Sequence, residues 1–101
     1  MKIICIGRNY VDHINELKNQ RPDSPVIFLK PETSIINKKN PFFIPNFSKD
    51  IQYEVEILVK INRLGKAIST EFSHKYYNHI GLGIDFTARD IQNILKNKGL
   101  P

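Results

Sequence analysis

Only one cysteine occurs among the 101 residues. A lone Cys5 excludes an intrachain disulfide and a cysteine-rich zinc site. Within the short apolar run "KIICIG" it reads as a small core hydrophobe rather than a reactive thiol. Long apolar stretches are missing as well. Nothing approaches the roughly 18 to 20 residues of a membrane span, and the apolar run near the start is too short for a signal-peptide core. The expectation is therefore a cytoplasmic protein with no membrane partner. Internal repeats, low-complexity tracts and linkers are also absent, which leaves one small domain with a modest core.

Positive charge is in excess. Fifteen Lys and Arg against ten Asp and Glu give a net charge of +5 and a pI near 9.4. Such a balance raises nucleic acid as a partner. The basic residues are scattered, however, and the tightest groups, "NKKN" and "KNKG", have no interleaved aromatics, so no nucleic-acid partner is expected. At 41% hydrophobic and 25% charged the chain has the composition of a folded domain rather than a disordered one.

Periodicity divides the chain into short elements. Residues 2–6 read as a strand ending at Gly7, and residues 10–18 have helical spacing, with Tyr10, Ile14 and Leu17 on one side. "NQRPDSP" reads as a loop and residues 26–30 as a strand stopped by Pro31. Residues 32–50 read as extended loop with a short strand at 42–44. Residues 53–61 alternate clearly: Tyr53, Val55, Ile57, Val59 and Ile61 face one way, and Glu54, Glu56, Leu58 and Lys60 the other. "NRLG" predicts a hairpin turn with Gly65 at positive φ, returning as a strand over residues 66–69. A short helix follows over 71–77, then a strand over 79–86 whose Gly81 and Gly83 permit close approach on one face. "TARDIQNILKNKGLP" predicts a helix with Thr87 as N-cap, Asp90 three residues on, Gly99 at C′ and Pro101 as stop. The mixture predicts α+β.

Within "IQYEVEILVKI", Glu54 and Glu56 share one face of the strand, about 6.5 to 7 Å apart at Cα. They could be a solvated edge, or they could converge on a hard cation such as Mg²⁺ or Mn²⁺. Asp85 ends an apolar strand just before a helix, a position where a scaffold can hold a site carboxylate. An Asx-type bond to the following turn is the alternative. His13 and Glu16 are i and i+3 on a helix, which suits either a surface salt bridge or a general-base pair. Lys30, at a strand end, could bind a carboxylate or phosphate or be solvated. Arg89 could pair with Asp85 or Asp90, or simply be solvated. His74 and His79 read as surface or turn residues.

Taken in order, "GRNYVDHINEL", "FLKPETS", "IQYEVEILVKI" and "GLGIDFTARDIQ" closely resemble the fumarylacetoacetate hydrolase family, above all its small members acting on acylpyruvates. The resemblance implies a mixed β-sheet roll, incomplete here, with residues 1–101 as the N-terminal part of one catalytic domain. It implies that Glu54, Glu56 and Asp85 hold Mg²⁺ or Mn²⁺, and that His13 and Glu16 activate water. Arg8, Lys30, Arg89 and Gln92 would contact a small 2-oxo acid substrate. The reaction implied is carbon–carbon hydrolysis of 2,4-dioxo acids. Decarboxylation, isomerisation or tautomerisation on the same scaffold, or a non-catalytic metal-binding remnant, are the alternatives. Longer family members continue past "GLP" with an aromatic residue and a site lysine. A chain ending at Pro101 is thus expected to have weak or absent activity alone and to aggregate or pair, as a homodimer, through exposed strands.

Overall fold

The structure is a computed structural model that describes residues 1–18 and 20–100. Asn19, in the expected loop, and Pro101, the expected helix stop, lie outside the described residues. The fold is α+β, and the chain divides into two compact units, residues 1–43 and 44–101.

In the first unit, β1 (Ile3–Gly7) pairs antiparallel with β2 (Val26–Lys30), Ile3 opposite Lys30 and Gly7 opposite Val26. Both strands are rich in β-branched and aromatic residues that suit a pleated surface. Cys5 sits half-buried in β1. Helix α1 (Val11–Glu16) is shorter than its periodic pattern, and Ile14 is its buried residue. Arg8, between β1 and α1, has φ 52°, a left-handed conformation that is strained for a residue with a side chain. The strand expected at residues 42–44 does not form. Pro41 and Pro45 flank it and remove the N–H groups a ladder would use.

In the second unit, β3 (Ile51–Ile61) pairs antiparallel with β4 (Tyr77–Ala88) over nearly their whole length. The return strand is therefore not residues 66–69. The connection, residues 62–76, carries a 3-10 turn (Thr70–Lys75) in place of the expected helix at 71–77. The positive φ in this connection falls on Ala67, at 53°, and not on Gly65. Gly65 is needed for space instead: a Cβ there would lie 2.1 Å from Ile68 Cδ1 and 2.5 Å from Tyr76 Cε1. A bulge at Lys60/Ile61 accommodates one extra residue of β4.

Helix α2 (Arg89–Asn97) packs against both strands and closes as expected. Gly99 takes φ +67°, Leu100 N–H donates to Leu95 O (2.9 Å) and Gly99 N–H to Lys96 O (3.1 Å). These two bonds make a Schellman motif. The start of the helix differs from expectation. Strand β4 runs on through Ala88, so Thr87 is a strand residue; Ala88 stands at the N-cap with no side-chain cap, and Asp90 Oδ1, inside the first turn, accepts from Ile91 N–H.

The register of the β3–β4 ribbon puts Tyr53 opposite Phe86, Val55 opposite Ile84, Ile57 opposite Leu82 and Val59 opposite Ile80. One face is thus entirely apolar, and it is open: Ile57 is 59% exposed and Leu82 74%. These eight side chains present on the order of 1,000 Å², more than the largest patch of a typical monomer. On the opposite face Glu54, Glu56 and Asp85 are half-buried, while Gln52, Leu58 and Lys60 beside them are exposed. The usual pattern of a half-buried sheet is inverted.

Candidate metal and proton-transfer residues

The carboxylate face is built by register. Glu54 lies directly opposite Asp85, and Glu56 lies opposite Gly83. Cross-strand Cβ atoms stand about 4.5 to 5.5 Å apart, so all three carboxylates emerge side by side. Asp85 is therefore part of the strand face and not of the turn that precedes α2. Gly83 also answers the expected close approach, since a Cβ there would lie 2.9 Å from Leu58 Cδ1. Leu58 lies across the glycine, on the same face as the carboxylates. At Gly81 a Cβ would meet nothing within 4 Å, so close approach is confined to one of the two glycines.

Like charges opposite one another destabilise a sheet. Here Arg89, at the first position of α2, answers the repulsion. Its guanidinium pairs with Glu54 through Nη2, donates from Nη1 to Gln92 Oε1 (2.6 Å) and from Nε to Gln52 Oε1 (3.3 Å). Its backbone N–H donates to Asp50 O (2.8 Å), and the residue is only 5% exposed. Oxygen-only donors on one shielded face fit a hard divalent cation. The side chains are not yet gathered, however. Among the described residues no three His, Cys, Asp or Glu groups stand close enough to hold an ion. Glu54 is held at Arg89.

Asp90 pins the segment before β3 to the same helix start. Its carboxylate accepts from Ser48 Oγ (2.6 Å), Lys49 N–H (2.9 Å) and Ile91 N–H (2.9 Å). The Ser48 hydroxyl, then the Lys49 amide, hold its pKa below the ordinary value of 3.8. A depressed carboxylate stabilises the fold fully above its unfolded pKa and loses that contribution as pH falls through the lower folded value. Asp90→Asn is expected to melt earlier than wild type at pH 7 in urea. The gap should close as the pH is lowered below 3.8. A gap that persists unchanged in acid would assign the loss to packing instead.

The remaining expected site residues lie in the first unit, or on α2. His13 Nδ1 and Glu16 Oε2 are 3.7 Å apart on α1, with the imidazole the more shielded partner. That is just outside hydrogen-bond distance, a separation that commonly tightens only when substrate is bound. Arg8 is exposed beyond β1 and Lys30 half-buried at the end of β2. Gln92 is exposed on α2, and its amide oxygen accepts from Arg89, so its NH₂ is the end left to donate. Sequence reasoning missed Gln52, Ser48 and the Arg89–Glu54 pair. No local signal gives the last, since its residues lie 35 apart in the sequence.

No helix among the described residues is long and apolar enough to cross a membrane. The fumarylacetoacetate (FAA) hydrolase C-terminal family model matches residues 2–100. A mitochondrial oxaloacetate tautomerase of Bos taurus is 37% identical over 99 residues, covering 98% of this chain and 45% of its own length. A mitochondrial oxaloacetate decarboxylase of Dictyostelium discoideum is 41% identical over 101 residues, 99% of this chain and 46% of its own. A crystal structure from Yersinia pestis, provisionally assigned to the fumarylacetoacetate hydrolase family, superposes with a TM-score of 0.90 at 33% identity. It is matched over 99% of this chain and 46% of its own. This chain thus spans a little under half the length of these relatives. The blocks singled out in the sequence, the α+β fold and the match over residues 2–100 agree, and the chain belongs to the fumarylacetoacetate hydrolase family.

Proposed function

We propose that the chain carries the cation-binding and proton-transfer residues of a divalent-metal-dependent enzyme acting on short 2-oxo acids, with oxaloacetate the leading substrate. One observation carries this reading. The three carboxylates sit on the shielded face of a ribbon whose other face is apolar and open, which is not where a solvated charge cluster belongs. The tautomerase and decarboxylase relatives favour oxaloacetate, because proton transfer at carbon and loss of carbon dioxide both begin by polarising its 2-oxo group.

Glu54, Glu56 and Asp85 would hold the cation after ordinary rotamer changes of flexible side chains. The cation supplies Lewis-acid polarisation of the substrate carbonyl. His13 moves a proton to or from the reacting carbon or a water, and Glu16 orients its ring. Arg8 and Lys30 are cations suited to the substrate carboxylates. Gln92 donates its amide NH₂ to a substrate oxygen. Hydrolysis of 2,4-dioxo acids, the leading expectation from the sequence, becomes the second reading, with His13 activating water.

The test follows the enol absorbance of oxaloacetate with Mg²⁺ or Mn²⁺ present. Acceleration of enol–keto exchange or decarboxylation that chelation abolishes is the expected outcome. Cleavage of an acylpyruvate without effect on oxaloacetate would replace this reading with the second.

A further inference from the structure

We infer that the open face of the β3–β4 ribbon is closed by a second copy of this chain, laid on it face to face with its strands running the opposite way. The face lies wholly within the second unit. It is open from end to end: Tyr53 is 73% exposed at one end and Ile80 69% at the other. No charged side chain interrupts it, because alternation sends Glu54, Glu56, Lys60 and Asp85 to the other side. Its area suits a second copy. A specific interface of standard size takes about 800 Å² from each partner, and the cross-strand side chains of this face present on the order of 1,000 Å². Sheets stack in this way about 10 Å apart, with their strands aligned to within about 30°.

The shape of the face selects the arrangement. It tapers, with the aromatic pair Tyr53 and Phe86 at one end and the smaller Val59 and Ile80 at the other. Aromatic on aromatic would prop the small ends apart. A two-fold axis crossing the strands near Ile57 and Leu82 instead lays each aromatic end on the other copy's small end, so that large meets small twice. The small end also has room for a ring. There Val59 and Ile61 run into a hollow of about 390 Å³, walled further by Tyr76, Tyr77, Arg63 and Ser73. That volume is in the range of pockets that take small aromatic molecules. Ile57 is midway between Tyr53 and Ile61 in β3, so the axis sets Tyr53 over the second copy's Ile61 and the mouth of its hollow. A buried tyrosine needs a partner for its hydroxyl, and Arg63 and Ser73 are donors in that wall. The same patch serves on both copies, so pairing closes at two.

Sedimentation equilibrium of the full 101-residue chain, from roughly micromolar to near-millimolar concentration, should show monomer–dimer exchange that stops at two. Leu82→Glu puts a charge in the middle of the face, close to its symmetry mate, and should weaken the dimer by more than about 100-fold. Tyr53→Ala empties the hollow at two equivalent contacts, with about a tenfold loss at each and about 100-fold in the dimer expected. Far-ultraviolet circular dichroism checks that both variants fold, and Tyr53→Ala decides the matter should Leu82→Glu not. A short bis-maleimide reads the direction in a Cys5→Ser background. Chains with Tyr53→Cys should link to chains with Ile61→Cys, a mixed pair that keeps its other aromatic contact, and neither should link to itself. A folded monomer throughout, wild-type pairing in both face variants, or self-linking of the Tyr53→Cys chain overturns the inference. Open-ended association overturns it as well, and so does a monomer that sediments with neutral phosphatidylcholine vesicles in place of pairing.

Discussion

Glu56→Ala should weaken Mg²⁺ and Mn²⁺ binding by more than about 100-fold, since loss of a mere outer partner already costs about 10- to 100-fold. Glu56 is the cleanest of the three carboxylates to remove. Glu54 is tied to a buried arginine, and its deletion would leave that charge unpaired, a loss of about 3 to 5 kcal/mol in a fully buried pair. Asp85 sits opposite Glu54, where its removal alters the pair as well. Glu56 faces Gly83, which brings no charged partner of its own and is overlain by the apolar Leu58. Calorimetric titration of wild type, Glu56→Ala and the shape-preserving Glu56→Gln separates charge from volume. Equal affinity in all three would remove Glu56 from the site.

On the hydrolytic reading proposed above, His13→Ala should lower acylpyruvate hydrolysis by about 10²- to 10⁴-fold, the usual worth of a general base, while Mn²⁺ affinity stays at the wild-type value. The imidazole lies on α1 of the first unit and the carboxylates in the second, so the two readouts report different residues. Metal-assisted decarboxylation of oxaloacetate needs no activated water and should survive the substitution better than hydrolysis. Glu16→Gln should cost less than His13→Ala, since its carboxylate stands 3.7 Å from the ring and orients rather than transfers. Equal loss of hydrolysis and decarboxylation would assign His13 a step common to both reactions, proton transfer at the reacting carbon, in place of water activation.

The parts of this site that the sequence discloses are those with a short period. Alternation over β3 separates Glu54 and Glu56 from Tyr53, Val55 and Ile57 without help from any other element, because a strand repeats every two residues. The C-terminal cap at Gly99 is also local, being a matter of one residue's φ. The β3–β4 connection is not local. "NRLG" has hairpin chemistry, yet the strands pair across residues 62–76, and the glycine there answers to crowding by Ile68 and Tyr76. Thr87 looked like a cap because its spacing to Asp90 is right. Continued pairing of β4 with β3 outweighs one capping bond. The Arg89–Glu54 pair is illegible for a plainer reason: it joins residues 35 apart whose neighbourhood exists only after the ribbon and helix have formed.

The open apolar face and the carboxylate face are two sides of one ribbon, and a single register fixes both. Slipping β3 by one residue would turn every side chain over, carrying Glu54 and Glu56 out among the isoleucines and breaking the alignment of Glu54 with Asp85. The register is held by the bulge at Lys60/Ile61, by the Asn62 N–H bond to Tyr76 O at one end of the ribbon and by the clasp of Arg89 on Asp50, Gln52 and Glu54 at the other. On the metal reading proposed above, a cover on the apolar face and an ion on the carboxylate face would favour the same alignment, and each would strengthen the other. Adhesion on one side of the ribbon and chemistry on the other would then be thermodynamically linked through two strands.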